Sequence, residues 1–225
     1  MARQARIVLP DTPHHIMQRG SEGENIFFEK DDLKTYLSLL AQQCKIHNVS
    51  IWSYCLLPNQ IHLIAFPQTP EGLAQAIGET HRRYCAHINA RTGRKKSLFQ
   101  SRFFSYPMDE RSLLSAARFI EVLPVMAGLA PGAECYLWSS ARAHTKNKED
   151  ILLAKEKPLV HFIPDWTGFL NMSTPMKEND DIELHLQTGR PRGSDDFLDS
   201  VEKMIGRSVR PQKRGRKPKQ AAAAA

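Results

Sequence analysis

The chain has 225 residues, 41% of them hydrophobic, and a formal charge of +7. That is enough for one full core plus an appendage, with some of the length left outside the core. Cys44, Cys55, Cys85 and Cys135 lie far apart with no CxxC, no apolar run reaches membrane-spanning length, and Met1 to Arg6 lacks a signal-peptide stretch, so secreted disulfide scaffolds and membrane proteins are excluded and a soluble cytoplasmic protein is expected.

His14 to Gln18 reads as a first strand, closed by Arg19-Gly20. Asp31 and Asp32 then cap a helix whose apolar positions Leu33, Leu37, Leu40 and Cys44 recur at helical spacing. Ser50 to Leu57 and Gln60 to Phe66 alternate as two strands around a tight Pro58-Asn59 turn, and so predict an antiparallel pair. Thr69-Pro70 opens a second helix with Leu73, Ile77, Tyr84 and Ile88 on one stripe, ending before Gly93. Leu98 to Tyr106 predicts a fourth strand, and Asp109 caps a helix through Leu113, Ala117 and Ile120 that Pro124 terminates. The order β-α-β-β-α-β-α predicts a ferredoxin-like α+β fold, an antiparallel sheet with helices packed on it.

Beyond residue 130 the signals weaken. Residues 1–145 are read as one domain and 146–206 as an extension packing on it. Trp138-Ser139-Ser140 and Phe162 to Leu170 are placed at the domain edge, and a short amphipathic helix is expected over Asp195 to Ile205. Residues 207–225 read as a disordered basic tail.

Charge is more telling when located than when summed. Residues 207–219 carry seven basic side chains and no acid, which equals the net charge of the whole chain. Between Thr80 and Tyr106 stand Arg82, Arg83, Arg91, Arg94, Lys95, Lys96 and Arg102, again with no acid, whereas acids gather near residues 22–32 and 178–202. A solvated surface normally mixes signs, so a basic face and a basic tail point to a polyanion partner. The segment Arg91 to Lys96 has the composition of a phosphate-gripping loop. In the tail, Lys213, Arg214, Arg216 and Lys217 resemble an imperfect AT-hook, interrupted by Lys217 before Pro218, and read as a nonspecific electrostatic element.

The stretch Pro58-Asn59-Gln60-Ile61-His62-Leu63-Ile64 looks like a metal-binding strand that lacks half of its ligands. Gln60 and His62, two apart, share one face. A histidine pair there would place two imidazoles over one point, but a glutamine oxygen is a poor substitute for imidazole. A lone His62 beside Gln60 reads more simply as a hydrogen-bonded strand histidine, because a usual site needs three or more donors. His14 and His15 point to opposite faces and cannot chelate together. Tyr84 lies on an apolar stripe and reads as core, Tyr106 ends a strand where it could stack a base, and His81 sits near Arg82-Arg83 where it could contact phosphates.

Several motifs together resemble the single-tyrosine HUH transposases, and within them the REP-associated tyrosine transposases. They are Arg19-Gly20, Asn25-Ile26-Phe27, Leu57-Pro58-Asn59-Gln60-Ile61-His62-Leu63, Leu98-Phe99-Gln100-Ser101-Arg102-Phe103 and Phe119-Ile120-Glu121-Val122-Leu123-Pro124-Val125. The resemblance covers residues 5–145. It implies the HUH fold and a tyrosine that attacks single-stranded DNA beside a hairpin. It also implies a magnesium or manganese ion held by two strand histidines and one polar helix residue. Carried onto this chain, the histidine pair falls on Gln60 and His62, the nucleophile on Phe119 and the third metal ligand on Leu123. Phe has no oxygen to attack with and Leu cannot bind a metal.

The resemblance therefore implies a protein that binds single-stranded or hairpin DNA of the repetitive palindromic type, with strand cleavage lost. Arg19 and the basic residues 82–102 would hold the backbone, the tail would add affinity, and a monomer is expected over a homodimer. A divalent metal would matter only for residual activity. Two other readings stay open: an active nicking enzyme using Tyr84, Tyr106 or a metal-bound water on His62, and a regulatory module for single-stranded DNA or RNA.

Overall fold

The computed structural model describes residues 5–172 and 176–211. Its four strands are β1 (His14–Arg19), β2 (Val49–Leu57), β3 (Gln60–Pro67) and β4 (Phe104–Pro107), in the order β2-β3-β1-β4 with every neighbour antiparallel. With α1 (Lys30–Ile46) after β1 and α2 (Gly72–Thr92) after β3, this is the expected ferredoxin-like arrangement. Across the centre of the sheet, Met17 stands opposite His62 and His15 opposite Ile64.

The two faces of the sheet carry different cores. One faces α1 and α2, where Tyr36, Leu40, Ile77, Tyr84 and Ile88 close on Ile16, Ile61 and Leu63. The other faces α3 (Glu110–Met126), whose Ala116, Ala117 and Ile120 pack over Met17, Cys55 and Ile64. A bulge between Ile51 and Ser53 advances β2 by one residue. Val49 and Ile51 before it and Tyr54 and Leu56 after it thus share the first core, although their spacing breaks alternation.

Helix ends follow from side-chain capping, with small departures from expectation. At α1 the cap is Glu29, and Asp32 sits three residues on, returning the bond in a reciprocal capping box. Asp109 caps α3 by accepting the Ser112 N–H at 2.9 Å. Pro124 does not stop α3, which runs on to Met126. In the last turn a proline removes a single donor, and the true stop is a left-handed Gly128 at φ 68°. There Gly128 N–H bonds Val125 O and Leu129 N–H bonds Pro124 O, the paired bonds of a Schellman cap.

Two further expectations are corrected. The stretch 98–106 is not one strand: Phe99 makes an isolated bridge to Gly20, and regular pairing begins only at Phe104. Leu98, Phe99 and Phe103 are apolar because they plug the first core from a loop. Trp138-Ser139-Ser140 does pack along the edge strand β2, with Leu56 N–H donating to Trp138 O at 2.8 Å and Ser140 N–H to Tyr54 O at 3.0 Å, but residues 162–170 reach deeper than an edge. Ser140 is fully buried, and Trp166 and Leu170 of α6 (Trp166–Asn171) are buried in the second core.

The node that draws them inward is Glu121 on α3, itself fully buried. Its carboxylate accepts Ser53 Oγ at 3.2 Å, Trp166 Nε1 at 2.7 Å and His144 Nδ1 at 2.6 Å, with Ser140 Oγ also bonded. A buried carboxylate is tolerable only when its oxygens are so filled. Of the remaining helices, α4 (Ala141–Thr145) carries His144 and α5 (Pro158–Phe162) precedes α6. Helix α7 (Met176–Thr188) packs against β1, β4 and α3, and α8 (Asp195–Ile205) buries Val201 with Ile7, Leu9 and Val209. Among the described residues no helix is long and apolar enough to cross a membrane.

Candidate functional site

Strand alternation turns Gln60, His62 and Ile64 toward α3, and helical spacing turns Phe119 and Leu123 back toward them. The result is a cleft of about 230 Å³ lined by Arg19, Gln60, His62, Phe119 and Leu123, with Glu183 and Leu186 of α7 as its outer wall. The Phe119 ring lies 5.9 Å from the His62 ring and 6.1 Å from that of His15, edge-on to both. One wall of the cleft is polar and the other apolar.

His15 is the site residue that sequence reasoning missed. Its neighbour His14 points to the other face, and its partner His62 stands on the next strand. The available signal was alternation, which puts His15 and Met17 on one face and opposite the face-sharing His62 and Ile64 once β1 pairs with β3. Four side chains form a continuous hydrogen-bonded chain. Gln60 Oε1 is 3.3 Å from His62 Nε2, His62 Nδ1 is 3.1 Å from His15 Nε2, and His15 Nδ1 is 3.1 Å from the Tyr106 hydroxyl. An amide oxygen can only accept, so His62 Nε2 carries its proton toward Gln60. His62 Nδ1 must then accept from His15 Nε2–H, and His15 Nδ1 from Tyr106 O–H.

Burial, reinforced by the Arg19 charge, holds His62 down to about 3. Burial first, then His62 and Arg192, holds His15 well below the usual imidazole range. Both rings are therefore neutral near neutral pH, and the nitrogen that His62 presents toward Gln60 is a donor rather than a lone pair.

This donor set does not fit the divalent metal that the resemblance implies. One imidazole and one amide oxygen already bond each other, Leu123 offers no ligand, and among the described residues no group of three His, Cys, Asp or Glu could hold a metal ion. Neither tyrosine stands in for the missing nucleophile at the cleft. Tyr84 lies on the opposite face of the sheet, its hydroxyl donating to Ile26 O at 2.9 Å. Tyr106 is fully buried beneath His185 with its hydroxyl on His15, so it does not stack a base, and burial pushes its phenol up.

The predicted DNA-contacting residues divide into two sets. Glu79 lies one residue outside the acid-free stretch and pairs with both Arg82 and Arg83. The acids near residues 22–32 fold onto the others: Arg91 bonds Asp32 and Glu29 at 2.7 and 2.6 Å, and Arg94 bonds Glu24. Lys95, Lys96 and Arg102 have no ion pair among the described residues. His81 turns inward, its ring 4.2 Å from Phe99 and its Nε2 3.1 Å from the Tyr36 hydroxyl. Lys213, Arg214, Arg216 and Lys217 lie outside the described residues.

Arg19-Gly20 now has a structural reason. A Cβ on Gly20 would stand 1.9 Å from the Glu24 carbonyl oxygen, so the chain can turn there only without a side chain. That turn carries Arg19 into the cleft, where its buried Nε has no hydrogen-bond partner among the described residues.

Comparison with known proteins places this geometry. Residues 11–122 match the family model described as IS200-like transposase. No curated protein matches the chain. A REP-associated tyrosine transposase, solved bound to a REP hairpin, is similar at 14% identity, over 68% of this chain and 92% of its own, with a TM-score of 0.55. That likeness is one of fold. A Deinococcus radiodurans R1 protein provisionally named a transposase aligns at 16% identity over 53% of this chain and 95% of its own, with a TM-score of 0.36.

Proposed function

Because the chain belongs to the IS200-like transposases, we propose that it binds single-stranded or hairpin DNA through the cleft under α3 and does not cut it. One observation carries the reading: the cleft is intact as a cavity, yet Phe119 and Leu123 supply hydrocarbon where the resemblance calls for a nucleophile and a metal ligand. A phenylalanine at the nucleophile position and a leucine at the third-ligand position support the reading that transesterification is lost.

What remains suits binding. Arg19 and the amide N–H groups of Gln60 can hold a phosphodiester oxygen, and the charge-assisted bond from Arg19 is the stronger kind. Phe119, Leu123 and Met126 offer the opposite wall to a base or sugar. The REP hairpin bound by the structurally similar transposase supports hairpin DNA as the first ligand to test.

The test is a labelled hairpin with a single-stranded flank, incubated with magnesium or manganese and run on a denaturing gel. The natural chain is expected to shift the hairpin in a native gel and to leave no covalent adduct. An adduct would overturn the proposal. Gln60→His, Phe119→Tyr and Leu123→Asn together restore the missing groups, and cleavage by this variant at the junction of hairpin and flank would locate the ancestral reaction in the cleft.

A further inference from the structure

A second cleft, about 380 Å³, opens along the outer side of β4, on the far side of α7 from the first. It is assembled from parts distant in sequence: the N-terminal segment, the loop before β4, the turn after α7 and the segment after α8. Five arginines line it and no carboxylate does. Arg210 is neutralised by Asp195, Asp199 and Glu202. Arg102 and Arg190 have no ion pair among the described residues, and Arg207 donates only to the Ala5 carbonyl, at 3.0 Å. Arg6 is held in place by the Phe103 carbonyl at 2.7 Å and by stacking 3.6 Å over the Phe103 ring. Cations gathered in a concave surface without an acid focus a positive field on whatever enters.

Ser105, on β4, is 4% exposed, lines this cleft and has a hydroxyl with no hydrogen-bond partner among the described residues. A buried hydroxyl left so is uncommon. Leu186 of α7 lines both clefts. One helix thus separates the cleft under α3 from the basic one, and a single strand can reach both by passing around it.

We propose that this second cleft is a phosphodiester-binding track for the strand that leaves the first cleft, with Arg102, Arg190 and Arg207 holding backbone phosphates. This rests on the DNA-binding reading above. It assigns to the C-terminal extension a direct part in DNA binding, through Arg190, which stands outside both basic runs of the sequence.

Fluorescence anisotropy with a hairpin carrying a single-stranded flank, measured over a range of potassium chloride, tests it. Each lost phosphate contact on a single strand should reduce the slope of log affinity against log salt by about 0.7, so Arg102→Ala with Arg190→Ala should reduce it by about 1.4. The loss should be the same for flanks of different sequence, because backbone contacts do not read bases. Lys45→Ala with Lys148→Ala removes two exposed charges elsewhere and should leave the slope within about 0.3 of the natural chain. An unchanged slope in the arginine pair, or an equal fall in the lysine pair, overturns the track while leaving DNA binding itself standing. A natural chain that binds no hairpin overturns the DNA reading and the track with it.

Discussion

Lowering the pH from about 7.5 to about 5 strikes this fold at three histidines that have almost no contact with water. His14 and His15 are fully buried and His62 is 3% exposed. His14 is held down to about 4, chiefly by burial, His62 to about 3, and His15 well below the usual range. The geometry explains why a proton is unwelcome. His14 Nε2 accepts the Leu9 N–H at 3.2 Å while Nδ1 is 2.7 Å from Thr12 O, so protonation would set one N–H against another. In the His15–His62 pair, the single nitrogen-to-nitrogen contact has room for one proton.

The sign follows from depressed folded-state values. Above about pH 6.5 both states are neutral, and below it the unfolded chain takes up protons that the folded one refuses, so stability falls with pH. At pH 5 each of the three costs about 1.5 pH units, or about 2 kcal/mol, and His81, which burial also holds down to about 3, adds a fourth such share, about 8 kcal/mol together. A domain holds only about 5–15 kcal/mol in all, so much of its stability should vanish before carboxylates begin to protonate. Urea unfolding followed by far-UV circular dichroism at several pH values reads this directly. His14→Gln, neutral at every pH, should flatten the dependence by about one quarter. A midpoint that stays constant between pH 7.5 and 5 would refute the reasoning.

Two other outcomes follow from single residues. Glu121→Ala leaves Ser53, Ser140, His144 and Trp166 without their common acceptor, and should cost about 3–5 kcal/mol in urea unfolding, with a changed Trp166 environment in near-UV dichroism. Gly20→Ala drives a Cβ into the Glu24 carbonyl and should cost about 1–3 kcal/mol; by displacing Arg19 it should also weaken hairpin binding in the anisotropy assay.

The sheet and its two helices were legible because their signals are local: alternation in β2 and β3, a 3.6-residue stripe in α2, an aspartate at the start of α3. What was not legible depended on contacts between segments. Phe99 and Phe103 read as strand residues because burial in a loop leaves the same apolar mark as burial in a sheet. The acid-free run from Thr80 to Tyr106 looked like an open basic face, yet acids at Glu24, Glu29 and Asp32 return in space to Arg91 and Arg94. The convergence of the second cleft's arginines was not legible for the opposite reason, although Arg102 and Arg207 each stand in a basic run. Arg6, Arg102, Arg190 and Arg207 are far apart in the chain, and no window along the sequence contains them all.

At the candidate site the changed positions agree with one another. Removing one metal ligand from a working site would strand the remaining buried imidazole without a partner, at a cost of about 1–3 kcal/mol. Here every ring nitrogen of His15 and His62 has a partner, because Gln60 terminates a chain that begins at the Tyr106 hydroxyl. The apolar pair Phe119 and Leu123 faces that chain without demanding a hydrogen bond from it. A histidine at position 60 alone could not return the site to metal binding, since Leu123 would still withhold the third ligand. The four side chains fit each other better as a closed polar wall opposite an apolar one than as an incomplete metal centre, which is the arrangement a binding cleft requires.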